Sequence, residues 1–269
     1  LGGRSIPDLP GRLAGHAILP ADTVIEPPAD AAPGFALSGR FVARGRTMEP
    51  RARLGRTYGP PLRATDVRFP FEGQPVLGIS SLRAAAEGGL WALQDNGFGG
   101  KANSADAMLA LHRLVPQWKT GGVARAETIF LSDPDAVLHF PIAGEITAAR
   151  YLTGADLDPE GLALADGLFW VADEFGPFLL AFDRRGRLVF ATAAAIAGRA
   201  LRSPDHPDIR TPARPGHVAF EVGRSRGFEG LAAGPDGLLH AILEGPLLDP
   251  ETGEAPDPTA VPVLEFDPK

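Results

Sequence analysis

Three stretches of the chain share one shape. Gly89-Leu90-Trp91-Ala92-Leu93-Gln94-Asp95-Asn96, Gly167-Leu168-Phe169-Trp170-Val171-Ala172-Asp173-Glu174 and Gly237-Leu238-Leu239-His240-Ala241-Ile242-Leu243-Glu244 each run from a turn glycine through a mostly apolar strand to a carboxylate or amide. A strand that recurs and always stops at a polar group implies copies of one unit set around an axis, with those ends gathered on one side. Two units also share Glu160-Gly161-Leu162-Ala163 and Glu229-Gly230-Leu231-Ala232, followed by a turn at Asp166-Gly167 or Pro235-Asp236-Gly237. Asp-Gly between apolar runs signals a hairpin, because glycine supplies the positive φ that the turn needs. Both faces of the second strand are apolar, Leu168 and Trp170 on one and Phe169 and Val171 on the other, as expected for a sheet covered on both sides.

The expected fold is therefore all-β: a β-propeller of four-stranded blades, either complete or shortened at its C-terminal end. The units are offset by 78 and 70 residues, against roughly 40 to 50 for one blade, so insertions or less similar blades intervene. Phe178 to Asp183, ending in a turn at Gly186, reads as the next strand of the same sheet. Local propensity favours a short helix at Leu82 to Glu87, but the repeat requires a strand there; at Ser104 to Leu111 both readings stay open. The 33 Gly and 27 Pro among 269 residues suit many short strands and turns. Residues 1–34, rich in Pro, Ala and Asp, suit an extended N-terminal arm, and residues 35–269 form one domain.

Net charge is −7 with no basic block, which argues against nucleic acid as a partner. The chain has no cysteine, which excludes thiolate catalysis, disulfides and cysteine-ligated metal. Its most apolar run, Leu188 to Ala197, is about half the roughly 20 residues a membrane span needs and is expected in the core. No signal peptide is recognisable at Leu1, so any such peptide has been removed or never existed.

Six motifs then occur in order: Gln94-Asp95-Asn96-Gly97-Phe98-Gly99 with Asn103-Ser104-Ala105-Asp106, Glu160-Gly161-Leu162, Asp173-Glu174-Phe175-Gly176-Pro177, Gly227-Phe228-Glu229-Gly230-Leu231 and Glu244-Gly245-Pro246-Leu247. Together, over roughly residues 70 to 250, they resemble the phytase-like family, also described as "esterase-like activity of phytase". The resemblance implies a periplasmic or extracellular bacterial β-propeller acting on esters or phosphate esters. Members of the family usually continue past the last of these motifs.

The candidate site follows from the acids. Several carboxylates meeting at one point must share protons or bind a cation. Asp95, Asn96, Glu160, Glu229 and Glu244 are the expected cation ligands, with Asp173 or Glu174 orienting a water. Calcium suits such a set because it takes six to eight oxygens in loose geometry. Arg224, Arg226 and Lys101 are candidates to hold the anion of a small ester or phosphoester. The alternatives are a calcium-dependent, gluconolactonase-like lactonase and a non-catalytic extracellular binding propeller. Asp156-Leu157-Asp158-Pro159-Glu160-Gly161 copies the start of an EF-hand loop, but its twelfth position is Gly167 and no flanking helices are evident. Gly223-Arg224-Ser225-Arg226-Gly227 matches G-x-S-x-G, yet a strand follows it where a nucleophilic serine would need a helix.

Overall fold

A computed structural model describes residues 11–42, 69–209 and 219–269. Among them the regular structure is almost entirely β, with only two short 3-10 turns, Pro33–Ala36 and Lys101–Asn103. Three antiparallel meanders follow one another. The first sheet comprises Ile79–Ala84, Leu90–Gln94, Ala110–Gln117 and Gly122–Phe130; the second comprises Pro159–Ala165, Leu168–Asp173, Phe178–Phe182 and Leu188–Ala193. The third comprises Phe228–Ala233, Leu239–Leu243 and Val263–Phe266.

The opening strand of the second sheet lies against the opening strands of the first and the third. The Leu162 amide donates to Ser81 Oγ at 3.2 Å, and Arg83 reaches the Leu231 carbonyl of the third sheet. Each meander then runs outward from this inner strand, as a propeller blade does.

Packing explains the pattern along the second strand of the second sheet. Phe169 and Val171 enter the cluster shared with Trp91, Leu93 and Leu111 of the first sheet, where Trp91 meets Phe169 edge-on at 4.9 Å. Trp170 and Ala172 face the opposite way, into the cluster with Phe228, Leu239 and Ala241 of the third sheet. The middle sheet is thus covered on both faces, and a continuous apolar run is the sequence consequence. Asp166 and Gly167 both take positive φ, +50° and +78°, which closes the expected two-residue hairpin.

The structure decides both segments with helix propensity, the first in favour of the repeat. Residues 82–84 belong to a strand despite their helix propensity, and of the open segment 104–111 only Ala110 and Leu111 are in regular structure, at the start of a strand. The run from Leu188 departs from expectation: Leu188–Ala193 is the outermost strand of its sheet, with Val189 and Phe190 exposed. Apolar content alone does not distinguish a central strand from an edge. His240 pairs across strands with Glu265 at 3.1 Å and is half-exposed, because that face of the third sheet is open.

Of the segment expected as an arm, residues 1–10 lie outside the described residues. Val24–Ile25 pairs with Gln74–Pro75, and Ile25 and Ala32 are buried. Just beyond it, Leu37–Ser38 pairs with Phe71–Glu72, and Asp106 receives the Gly39 and Arg40 amides at 3.0 Å each. No helix among the described residues is long and apolar enough to cross a membrane.

Candidate functional site

The same irregularity occurs in all three inner strands. Register slips between Ile79 and Ser81 in the first sheet, between the partners of Ala172 and Asp173 in the second, and between Phe228 and Gly230 in the third. Each slip leaves one residue unpaired: Ser80, Glu160 and Glu229, respectively. A bulge re-aims a side chain that regular pairing would fix. Beside each bulge a backbone clasp recurs, with Asp95 N donating to Gly78 O at 2.7 Å, Glu174 N to Asp158 O at 2.9 Å and Glu244 N to Gly227 O at 2.9 Å. Bulge and clasp together set the end of each second strand beside the bulged residue of its own inner strand.

Two glycines bring neighbouring sheets close enough for these ends to meet. A Cβ on Gly154 would lie 2.0 Å from Asn96 O, and one on Gly227 would lie 2.0 Å from Glu174 O. Only glycine permits that approach.

The outcome is two carboxylate triads. Oxygens of Asp158, Glu160 and Glu174 lie within 4.8 Å of one another, as do those of Glu174, Glu229 and Glu244. Glu174 belongs to both. Oxygens about 2.4 Å from a shared cation such as calcium can be no more than about 4.8 Å apart, a bound that both triads meet.

Burial raises the affinity of these groups for protons, because charged carboxylates lose water without gaining enough positive partners. Burial lifts Glu160 to about 9; a Ser80 hydrogen bond opposes the rise, and the carboxylates of Asp158, Asp95 and Glu229 add to it. Glu174 rises to about 8, again chiefly by burial, then by Asp158, Glu229 and Glu244. Asp158 and Glu229 are also raised, with burial the leading cause.

The other expected residues occupy a supporting layer. Asp173 is fully buried, its two oxygens accepting the Asp158 and Gly176 amides at 2.7 Å each. Of the pair Asp173 and Glu174, only Glu174 is in the triads. Asn96 Oδ1 accepts the amides of Phe98, Gly99 and Gly100 at 3.1, 2.6 and 3.2 Å, and its Nδ2 donates to Asp158. Its oxygen is thus engaged within the loop, and Asn96 holds a ligand candidate in place. Asp95 accepts the Gly97 amide at 2.7 Å, and burial lifts it to about 7. It lies outside both triads.

The three cations all sit at loops bordering the acids. Arg226 Nη1 pairs with Glu244 Oε1 at 2.7 Å. Arg224 pairs with Asp205, while Lys101 Nζ donates to the Asp205 carbonyl at 3.0 Å and lies 5.5 Å from the Phe175 ring centre. The G-x-S-x-G stretch is a turn leading directly into Phe228–Ala233, without the helix a serine nucleophile requires.

Asp158 is the acid that sequence reasoning passed over. Its counterpart in the third unit is Gly227, so the repeat gave no signal, and its other motif was the rejected EF-hand start. A cavity of about 600 Å³ lies elsewhere, lined in part by Arg184, Arg185, Arg187 and Tyr151. Two of those arginines already face Glu87 and Asp135.

Comparison with known proteins adds a relative and a family. An "Uncharacterized secreted protein" of Arthroderma benhamiae is 32% identical over 34% of this chain and 20% of its own length. The match thus spans about a fifth of that relative. The sequence model described as "Esterase-like activity of phytase" matches residues 74–269. That span takes in all three sheets, both triads and the three bordering cations, and by it the chain belongs to the phytase-like family.

Proposed function

We propose that this protein is a cation-dependent hydrolase of small anionic esters, phosphate esters foremost, and that it works at the paired carboxylate triads. Family membership supports hydrolase chemistry of the phytase and esterase kind. The observation that carries the location is the convergence of Asp158, Glu160, Glu174, Glu229 and Glu244, delivered by two sheets through the same bulge and clasp. Five acids held together against their own repulsion are best explained by a positive guest.

In this reading Asp158, Glu160, Glu229 and Glu244 hold calcium, with Asp95 and Asn96 organising the loop behind them. A bound divalent cation supplies charge neutralisation and acidifies water. Glu174, at the junction of the triads, accepts a proton from the attacking water, whose oxygen bonds to phosphorus or acyl carbon; as the ester bond breaks, Glu174 returns that proton to the departing oxygen, which leaves as the alcohol. Arg226 neutralises Glu244 and faces the substrate anion, while Lys101 and Arg224 complete the cationic border. Asp173 keeps the strand end in place through the hydrogen bonds it accepts from two backbone amides. The relative's description as secreted supports action outside the cytoplasm, periplasmic or extracellular.

The test is turnover of an aryl phosphate, an aryl acetate and a lactone by chelator-treated protein, before and after calcium is restored. Calcium-dependent turnover of the phosphate is the expected result, and turnover of the acetate alone would assign an esterase that does not use the substrate's charge. Lactone opening alone would assign a lactonase. Calcium binding without turnover of any of the three would make the protein a binding propeller.

A further inference from the structure

The segment Leu201–Ile209 crosses the border of the acid cluster, and one residue in it touches cations from two different sheets. Asp205 accepts Lys101 Nζ through its backbone oxygen at 3.0 Å and pairs with Arg224 through its carboxylate. Lys101 comes from the loop after the second strand of the first sheet, and Arg224 from the turn before the third sheet. Neither pairing is incidental to a loose loop. The Asp205 amide donates to Ser203 Oγ at 3.0 Å, Ser203 Oγ donates to the Phe175 carbonyl, and the Ser203 amide donates to Gly176 O at 3.1 Å. Phe175 directly follows Glu174, and its ring lies beneath the Lys101 ammonium. Asp205 is therefore fastened to the backbone beside the acid that both triads share.

Two cations thus meet on one residue that is fastened to the backbone next to Glu174. The Lys101 ammonium uses one of its three donors on the Asp205 carbonyl, and the Arg224 guanidinium, with five donors in a fixed fork, is engaged through Nη1. Among the described residues, both retain donors for a second acceptor. A phosphoryl group offers several charged oxygens, enough to meet an ammonium and a guanidinium together while another oxygen remains toward the acids.

We infer that Asp205 is a positioning residue that yokes Lys101 and Arg224 into one clamp for the phosphoryl group of a phosphate monoester. The inference rests on the hydrolase reading for the substrate's fate, but the clamp itself is a binding property. It acts through Arg224, so removing Asp205 matters only while Arg224 is present.

The experiment measures binding of inorganic phosphate by calorimetry in the presence of calcium, together with turnover of p-nitrophenyl phosphate and p-nitrophenyl acetate. Arg224→Ala, Asp205→Ala and the double variant are compared with the wild type. Each single variant is expected to weaken phosphate about fivefold, the scale of one exposed ionic contact. The double variant is expected to be no weaker than Arg224→Ala, because the two residues act as one unit. KM for the phosphate ester rises in step, and by more than KM for the uncharged acetate. Arg224 is largely exposed, with 63% of its side chain accessible, so its variant keeps the test decisive if Asp205→Ala does not fold. Phosphate binding unchanged or tightened in either single variant, losses that multiply in the double, or no phosphate binding by the wild type would each overturn the clamp. Expected binding losses without turnover of either ester would leave the clamp standing and remove the hydrolase reading. Turnover with unaltered phosphate binding would do the reverse.

Discussion

Glu174 is where the demands on this site meet. Its carboxylate belongs to both triads, its amide makes the strand-end clasp, and its carbonyl is the atom that Gly227 approaches. Burial and three neighbouring acids raise it to about 8, so without a cation it is largely protonated at neutral pH. Glu174→Gln keeps the shape and removes the charge. The variant is expected to match or exceed the wild type in melting temperature when chelator is present at pH 8, since the amide imitates the protonated acid. Added calcium should raise the melting temperature of the wild type and raise that of the variant less, because one carboxylate beside the ion is neutralised while the four ligands remain. Thermal melts with and without calcium check this, and an equal calcium response in both proteins would remove Glu174 from the site. The neighbouring Asp173 differs in kind, because its oxygens are used on the Asp158 and Gly176 amides. Sequence could not separate these adjacent acids: both end the same strand, and only a bulge and burial decide which one faces the cluster.

At the scale of the element, the repeated unit is a strand pair with a bulge near the open end of its inner strand. The Asp166-Gly167 turn and the apolar faces of Leu168–Asp173 were readable in the sequence, because turn chemistry and a two-sided core each leave local residue signatures. The bulge was not readable, since it is defined by the partner strand's register, and it explains why Glu160 and Glu229 project while Gly161 and Gly230 pair. Leu188–Ala193 shows the complementary failure: its composition suits the core, but its place at the sheet edge is decided by strand order. Gly227 gives the element a direct test. A Cβ there would stand 2.0 Å from Glu174 O, and the obstacle is backbone. Gly227→Ala is expected to cost about 1–3 kcal/mol, the usual scale of forced overpacking, and to lower calcium affinity by moving the third sheet's acids away from Glu174. Chemical denaturation and calcium titration measure the two effects. Full stability together with full affinity would show that the sheets do not depend on this approach.

At the scale of the molecule, hydrophobic packing between sheets and electrostatic repulsion at their ends act in opposition. The clusters around Trp91 and Phe169 and around Trp170 and Phe228 hold the sheets together, and in doing so crowd the acids. Convergence of the repeated strand ends was legible because repetition implies a shared axis, whereas Asp158 and Asp205 became visible only when separate sheets were set side by side. The opposition has a measurable pH dependence. Glu160, Glu174, Asp95 and Asp173 titrate near 9, 8, 7 and 7 in the folded protein, with burial the leading cause in each, against ordinary values of 4.5 for Glu and 3.8 for Asp. The folded state therefore holds more protons than the unfolded chain through this range, and stability falls as pH rises. The stabilisation is fully present below the ordinary carboxylate range and is lost as pH climbs through about 7 to 9. In chelator, the melting temperature should fall between pH 5 and pH 9. Saturating calcium binds the ionised acids, so its stabilising increment should grow over the same interval and oppose the fall. A melting temperature in chelator that is flat or rising from pH 5 to pH 9 would mean that the acids are not crowded in the folded molecule, and the case for a bound cation would fall with it.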